Sequence, residues 1–131
     1  MGINKDWGRI SVTQAVAPAV HTATATQAAG IDTALYRKLV VVLDYGVVTD
    51  GTWTTTITTS ATVGGSYVAD DGLVTGEAFT VVTSTEDAQV YEVAIDLDAL
   101  DNRWLKVVQT ETVASASSLF GITLVGELKE A

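Results

Sequence analysis

The sequence is poor in the residues that carry most enzyme chemistry. It has no cysteine, one histidine (His21) and one proline among 131 residues. Without cysteine there is neither a disulfide framework nor a thiolate metal site, and synthesis in a cytoplasm is expected. His21 lies in a run of small residues, where a lone histidine is expected to be a polar surface residue. The sequence therefore predicts a non-enzymatic protein with no catalytic residues, no cofactor and no metal ligands.

Long apolar runs are also missing. The longest, residues 39–43, is far shorter than the roughly 20 residues of a membrane-spanning helix. The first residues lack the apolar segment of a secretory signal, so no membrane association is expected.

Basic residues are few. The sequence has seven lysines and arginines and 16 acidic residues, which gives a net charge of −9. Residues 1–38 carry four basic and two acidic residues, whereas residues 39–131 carry three basic and fourteen acidic ones. Because nucleic-acid binding depends on basic stripes, nucleic acid is not an expected partner. The charge pattern indicates either an acidic solvent-facing surface or a slightly basic N-terminal segment that docks on an acidic neighbour.

Threonine and valine dominate what is present, with 20 and 19 copies. Both are β-branched and favour strands. Short alternating or apolar runs separated by glycine and aspartate turns predict an all-β domain, an antiparallel β-sandwich or flattened barrel of seven to eight strands. The predicted strands include 39–44, 53–60, 66–69, 79–83, 90–96, 103–112 and 119–128.

Residues 1–33 differ from the rest. The run from His21 to Gly30 is small, polar and repetitive, and it closes on a glycine. We expect an extended N-terminal arm over residues 1–33, ordered by contacts outside itself, and a sandwich domain over residues 34–131. The alternative is an ordinary first strand followed by a loose loop.

Two groups of residues are candidates for binding. The acidic segment 96–102 could hold a cation, but its spacing is not that of an EF-hand, and Asp98 or Asp101 is better explained as the cap of a helical turn. The aromatic residues could form a platform for sugars, but Trp53 and Trp104 are in phase with apolar positions and are expected in the core or at a subunit contact. This aromatic set is Trp7, Trp53, Trp104, Tyr36, Tyr45, Tyr67 and Tyr91.

The order of short motifs resembles small virion proteins of tailed bacteriophages that are encoded near the major capsid gene. The arm ends at Gly30-Ile31-Asp32, a strand follows, and residues 46–54 match a G-x-x-x-D-G-x-x-T turn into a threonine-rich strand. Asn102-Arg103-Trp104 begins a later strand, and residues 119–126 form the closing one. Position 106 is lysine where that family pattern has a second arginine.

The resemblance implies a capsid decoration, or cement, protein. It would bind the major capsid protein as a homo-oligomer, with the arm supplying contacts between subunits. The outer surface of the virion is expected because packaged DNA would repel the acidic body. A tail or head–tail connector component is the alternative of the same class. A carbohydrate-binding β-sandwich module, which needs two exposed coplanar aromatic rings, is the rival from another class, and a hydrolase is the third.

Overall fold

Two antiparallel sheets face each other in the computed structural model, which describes residues 9–86, 88–112 and 116–129. The first sheet has the order β1-β9-β4-β7, and the second has the order β2-β8-β5-β6, with β3 also paired to β8. Two 3-10 turns, Thr33–Leu35 and Leu97–Ala99, are the helical segments of the described residues. The strands are β1 (Ile10–His21), β2 (Ala25–Thr26), β3 (Ile31–Asp32), β4 (Tyr36–Asp50), β5 (Trp53–Ser60), β6 (Val68–Asp70), β7 (Val90–Ile95), β8 (Trp104–Glu111) and β9 (Ser117–Leu128).

The predicted antiparallel β-sandwich is confirmed. Strand β4 lies between β9 and β7, as its apolar run predicts, and β5 has the predicted bounds. Trp53, Thr55 and Ile57 of β5 point into the core between the sheets, because alternate residues of a strand face opposite sides. The strand count is nine within the described residues, since two strands of two residues each escape a search for alternation.

The predicted strand over residues 79–83 is wrong for most of its length. Val82 alone pairs, exchanging both backbone hydrogen bonds with Trp53 (2.8 and 2.9 Å), and its side chain is fully buried. One buried valine anchors this segment, and the rest of it forms a loop over the end of the sandwich.

The turn between β4 and β5 carries the chain from one sheet to the other. Gly51 has φ +95°, which disfavours other residues, and a Cβ there would lie 2.7 Å from the Cβ of Ala116. The Asp50 side chain accepts a hydrogen bond from the Gly51 amide (2.8 Å). The Asp-Gly pair therefore makes the predicted turn, although the strands it joins do not pair with each other.

Residues 9–33 belong to the sandwich. Strand β1 pairs along β9 from the Ile10–Glu127 pair to the His21–Ser118 pair, while β2 and β3 pair with β8. Of the two interpretations that the sequence left open, the structure has the first strand with a loop after it. Residues 1–8 of the predicted arm lie outside the described residues.

Gln27 anchors the loop after β1. Its side chain is 2% exposed, its Oε1 accepts from the Val107 amide (3.0 Å), and its Nε2 donates to the Ala29 carbonyl (2.7 Å). Its own backbone amide donates to the Val107 carbonyl (3.0 Å). The small residues around it bury little surface. This one side chain, however, supplies the hydrogen-bond acceptor for the backbone of β8 between its pairings with β2 and β3.

The two tryptophans that the sequence places in the core differ. Trp53 is fully buried, packs edge-on against Phe120 (centroids 5.2 Å apart) and donates from Nε1 to the Asp50 carbonyl (3.3 Å). Trp104 is half-buried, because Leu105 and Val107 are the core-facing residues of β8. The expected core position is confirmed for Trp53, whereas Trp104 lies outside the core, and the alternative of a subunit contact stays a prediction for it.

We predict that Trp53→Ala lowers the free energy of unfolding by about 3–5 kcal/mol, as for a large core aromatic residue. Trp104→Ala, which loses partial burial and a contact with a guanidinium, should cost about 1 kcal/mol. Denaturant unfolding followed by circular dichroism measures both, and equal losses would contradict the assigned burial.

We predict that Gln27→Ala destabilises the protein by about 1–3 kcal/mol, because it leaves the buried Val107 amide without its acceptor. Gln89→Ala removes the same atoms from an exposed position before β7 and is the matched control, expected within about 0.5 kcal/mol of the parent. Equal unfolding midpoints for the two variants would show that residues 22–33 are a loose arm.

Candidate interaction surface

A groove lies at the end of the sandwich where β4 begins and β7 ends. Its volume is about 910 Å³, and it runs between the Thr33–Leu35 turn, the Leu97–Ala99 turn and the edges of these strands. Apolar residues, among them Leu39, Ile95 and Leu100, form part of its wall. Charged side chains of both signs complete the lining: Arg37, Lys38, Arg103, Lys129, Asp96, Asp98 and Asp101.

The cations of the chain gather at this end. Four of the seven lysines and arginines line the groove, and a fifth, Arg9, donates from Nη2 to the Lys129 carbonyl (2.7 Å). Arg37 pairs with Glu127 (3.3 Å), whereas Lys38 is exposed and has no ion pair with a described residue. The groove end therefore combines most of the chain's cations with acidic side chains, since three aspartates line the groove and Asp32 and Glu127 pair with two of the arginines.

The opposite end of the sandwich carries several carboxylates. Hydrogen bonds from Thr85 and Thr83 lower the pKa of Glu86, and the hydroxyl of Thr24 (2.6 Å) lowers the pKa of Glu111. Both side chains consequently stay charged to lower pH than ordinary glutamates do. The acidic residues of this end are Asp44, Asp50, Glu86 and Glu111.

Two motifs that carry the family resemblance meet at the groove. Arg103 binds Asp32 through two nitrogens (2.7 and 2.6 Å), and the backbone amide and hydroxyl of Thr33 both donate to the Arg103 carbonyl. The hydrogen bond from Arg103 lowers the pKa of Asp32, so the pair is retained until the pH falls below the usual aspartate range. These residues fix the start of β8 against β3, a structural role.

Asp70 holds the other wall of the groove. It is 8% exposed, and its Oδ2 accepts from the Thr59 hydroxyl (2.7 Å) and the Asp101 amide (2.8 Å). Its Oδ1 accepts from the Gly72 amide (2.9 Å). One buried carboxylate thereby joins β5, the loop after β6 and the acidic segment 96–102.

The acidic segment contains the predicted helical turn, but a different residue caps it. Asp96, rather than Asp98 or Asp101, is the N-cap, and its Oδ1 accepts from the Asp98 amide (3.1 Å). Among the described residues, no group of three histidine, cysteine or acidic side chains is placed to hold a metal ion.

His21 is not the polar surface residue that the sequence predicts. It is half-buried, its ring stacks on Phe120 (centroids 4.1 Å apart), and its Nε2 lies 3.1 Å from the Ala17 carbonyl oxygen. The ring thus joins the end of β1 to the core.

The described residues form no exposed aromatic surface on which a sugar could stack. Every described aromatic side chain is buried or half-buried, and Trp7 lies outside the described residues. The two aromatic residues on the outer face of the second sheet each have a cation over the ring: Arg103 over Trp104 (5.5 Å) and Lys106 over Tyr67 (4.5 Å). Stacking of a sugar would have to displace these cations.

Sequence reasoning missed the groove. Its cations come from positions 9, 37, 38, 103 and 129, and only the strand pairing brings them together. The excess of basic residues before position 39 was the available signal. It was interpreted as a basic arm on an acidic domain, whereas the structure brings these basic residues to one end of the sandwich.

Comparison with known proteins identifies no family. No family model matches the chain, and no curated protein matches it. A solved structure of infectious bursal disease virus, Gx strain, matches with TM-score 0.44 and 14% identity over 89% of this chain and 31% of that one. The crystal structure of an infectious bursal disease virus VP2 subviral particle matches with TM-score 0.32 and 15% identity over 92% and 41%. The chain thus spans under half of either viral chain, and TM-scores below 0.5 support no conclusion about function or partner.

A search of the described residues for a helix long and apolar enough to cross a membrane finds none.

We predict that Asp70→Asn lowers the free energy of unfolding by about 1.5–3 kcal/mol, because an amide cannot accept at both positions where the carboxylate does. Asp71→Asn makes the same charge change at an exposed neighbour and should be within about 0.5 kcal/mol of the parent. Hydrogen exchange at the Asp101 amide should accelerate in the first variant only. Unchanged exchange there would mean that Asp70 does not hold the groove wall.

Proposed function

We propose that this protein is a non-enzymatic structural protein of a bacteriophage virion, which decorates and stabilises the capsid as a homo-oligomer. The observation that carries the proposal is that five of the seven cations gather at one end of the sandwich, in and beside a groove of mixed charge, whereas the other end is acidic. A mixed-charge groove suits docking on a protein surface, whereas the purely acidic end repels DNA and other acidic copies.

The resemblance to phage virion proteins is the reason for proposing the capsid as the partner. The residues that carry it, Asp32 and Arg103 above all, brace the groove wall, so the motif and the proposed docking end coincide. In this arrangement the groove end contacts the major capsid protein, and the acidic end points outward from the particle. Repetition over a lattice turns a weak contact into a stable attachment.

Rival functions have less support. The carbohydrate-binding alternative needs exposed aromatic rings, and the described rings are buried, half-buried or covered by cations. A tail or head–tail connector component would use the same assembly chemistry and differs only in its location in the particle.

The experiment uses phage particles that lack the gene, prepared beside the parent phage. We expect these shells to assemble but to release DNA at lower temperature, and on osmotic shock or chelation, with purified protein restoring resistance. Electron microscopy of labelled protein should place it on the outer capsid surface. A location inside the head or in the tail tube, or particles of equal stability, would refute the proposal.

A matched pair of variants tests the groove end. Lys38→Gln removes an exposed groove cation, and Lys106→Gln removes a cation from the outer face of the second sheet. We expect Lys38→Gln to weaken binding to the gene-deleted particles by roughly three- to tenfold, as for a rim charge, and Lys106→Gln to leave it unchanged. Weaker binding by Lys106→Gln and unchanged binding by Lys38→Gln would show that the docking surface is not the groove.

A further inference from the structure

Strand β1 is the open edge of the sandwich. The other edge of the first sheet, β7, is six residues long and is covered at its C-terminal end, where Ala94 donates to Glu77 Oε1 (3.1 Å) and its carbonyl accepts from the Val74 amide (3.1 Å). The edge strands of the second sheet are two or three residues long. β1 is twelve residues long, and no strand of the described chain pairs with its outer side.

This edge carries no charge. Residues 10–21 contain no aspartate, glutamate, lysine or arginine, in a chain with 23 charged residues. Long, uncharged edge strands invite pairing with another chain, and monomeric proteins usually blunt them with charge. Only the second half of β1 is made unsuitable for further pairing. It contains Pro18 and two register shifts, one between Gln14 and Val16 and one between Val16 and Ala19. The first half, residues 10–14, keeps a regular register and carries neither a charge nor a proline.

The uncharged edge favours a second copy of this chain as its partner. Two molecules of net charge −9 that meet through most other surfaces bring carboxylates together, and charges repel over about 8 Å at physiological salt. At β1 each copy offers a neutral surface to the other. An antiparallel edge is also complementary to itself by a half-turn, the commonest symmetry of oligomers.

The exposed apolar residues fit such a pairing. Val12 is 68% exposed and Ile10 is 41% exposed, both on the solvent side of β1. Centred on Val12, an antiparallel pair sets Val12 beside Val12 of the second copy, and Ile10 beside Gln14. Register aligns Val12 with Val125, Val40 and Ala94, so pairing would continue this apolar row across eight strands.

We propose that two copies of this chain pair antiparallel through residues 10–14 of β1, with the twofold axis at Val12. This names the surface of the proposed homo-oligomer and rests on that part of the proposed function, but it does not depend on capsid binding.

The test is the mass of the purified full chain by sedimentation equilibrium. We expect twice the 13.7 kDa of one chain. Val12→Lys and Val12→Glu each place like charges directly opposite and should weaken dimerisation at least about tenfold. Val47→Lys changes a similarly exposed valine (61%) away from the edge and should leave the mass unchanged.

Mixing the two charged variants is the decisive step. Because Val12 faces its own counterpart, a mixture of Val12→Lys with Val12→Glu should restore a dimer that neither forms alone. Circular dichroism checks that each variant is folded, which is expected for an exposed site. A monomeric parent at millimolar concentration, a dimer insensitive to both charges, or a mixture that stays monomeric would overturn the pairing.

The two proposals fail separately. A monomer that still protects gene-deleted particles would refute the β1 pairing alone, whereas a dimer that does not bind them would refute the capsid role alone.

Discussion

The ring of Phe120 is the contact on which the rest of the fold depends. It is 1% exposed and packs against Trp53 of the opposite sheet, Tyr45 of β4 (5.4 Å) and His21 at the end of β1. Three strands of one sheet and the central strand of the other therefore meet on a single side chain. Burial of these rings stabilises the sandwich and holds the end of β1 against the core.

Period-two alternation made most of the fold predictable. The residues of β5 and β7 alternate so regularly that their bounds and their buried faces could be read from the sequence. Segments whose order depends on a few long-range bonds were not predictable. The loop around Gln27 and the bridge at Val82 are each held by one buried side chain and its backbone bonds, which leave no periodic trace in the sequence.

The same limit applies to the interaction surface. The motif residues Asp32 and Arg103 stand 71 positions apart, and nothing local predicts that they bind each other. Asp96 caps the turn because its backbone is extended just before Leu97, whereas the sequence favoured Asp98 or Asp101 equally well. Composition could predict an acidic protein, but the end at which its cations gather is decided by strand order.

The covered end of β7 limits how far the first sheet can be extended by strands of other chains. Sheets that lengthen by edge pairing continue indefinitely, as in amyloid, when each added chain offers a fresh edge. Here the loop over residues 72–77 occupies the far edge of the first sheet, through the Ala94 bonds and the bond from the Asp96 amide to the Gly72 carbonyl (2.9 Å). If two copies join through β1, each outer margin of the combined sheet is then a strand of six residues whose C-terminal end is already covered. Such margins offer little backbone to a third chain, so the proposed pairing favours a dimer over a fibre.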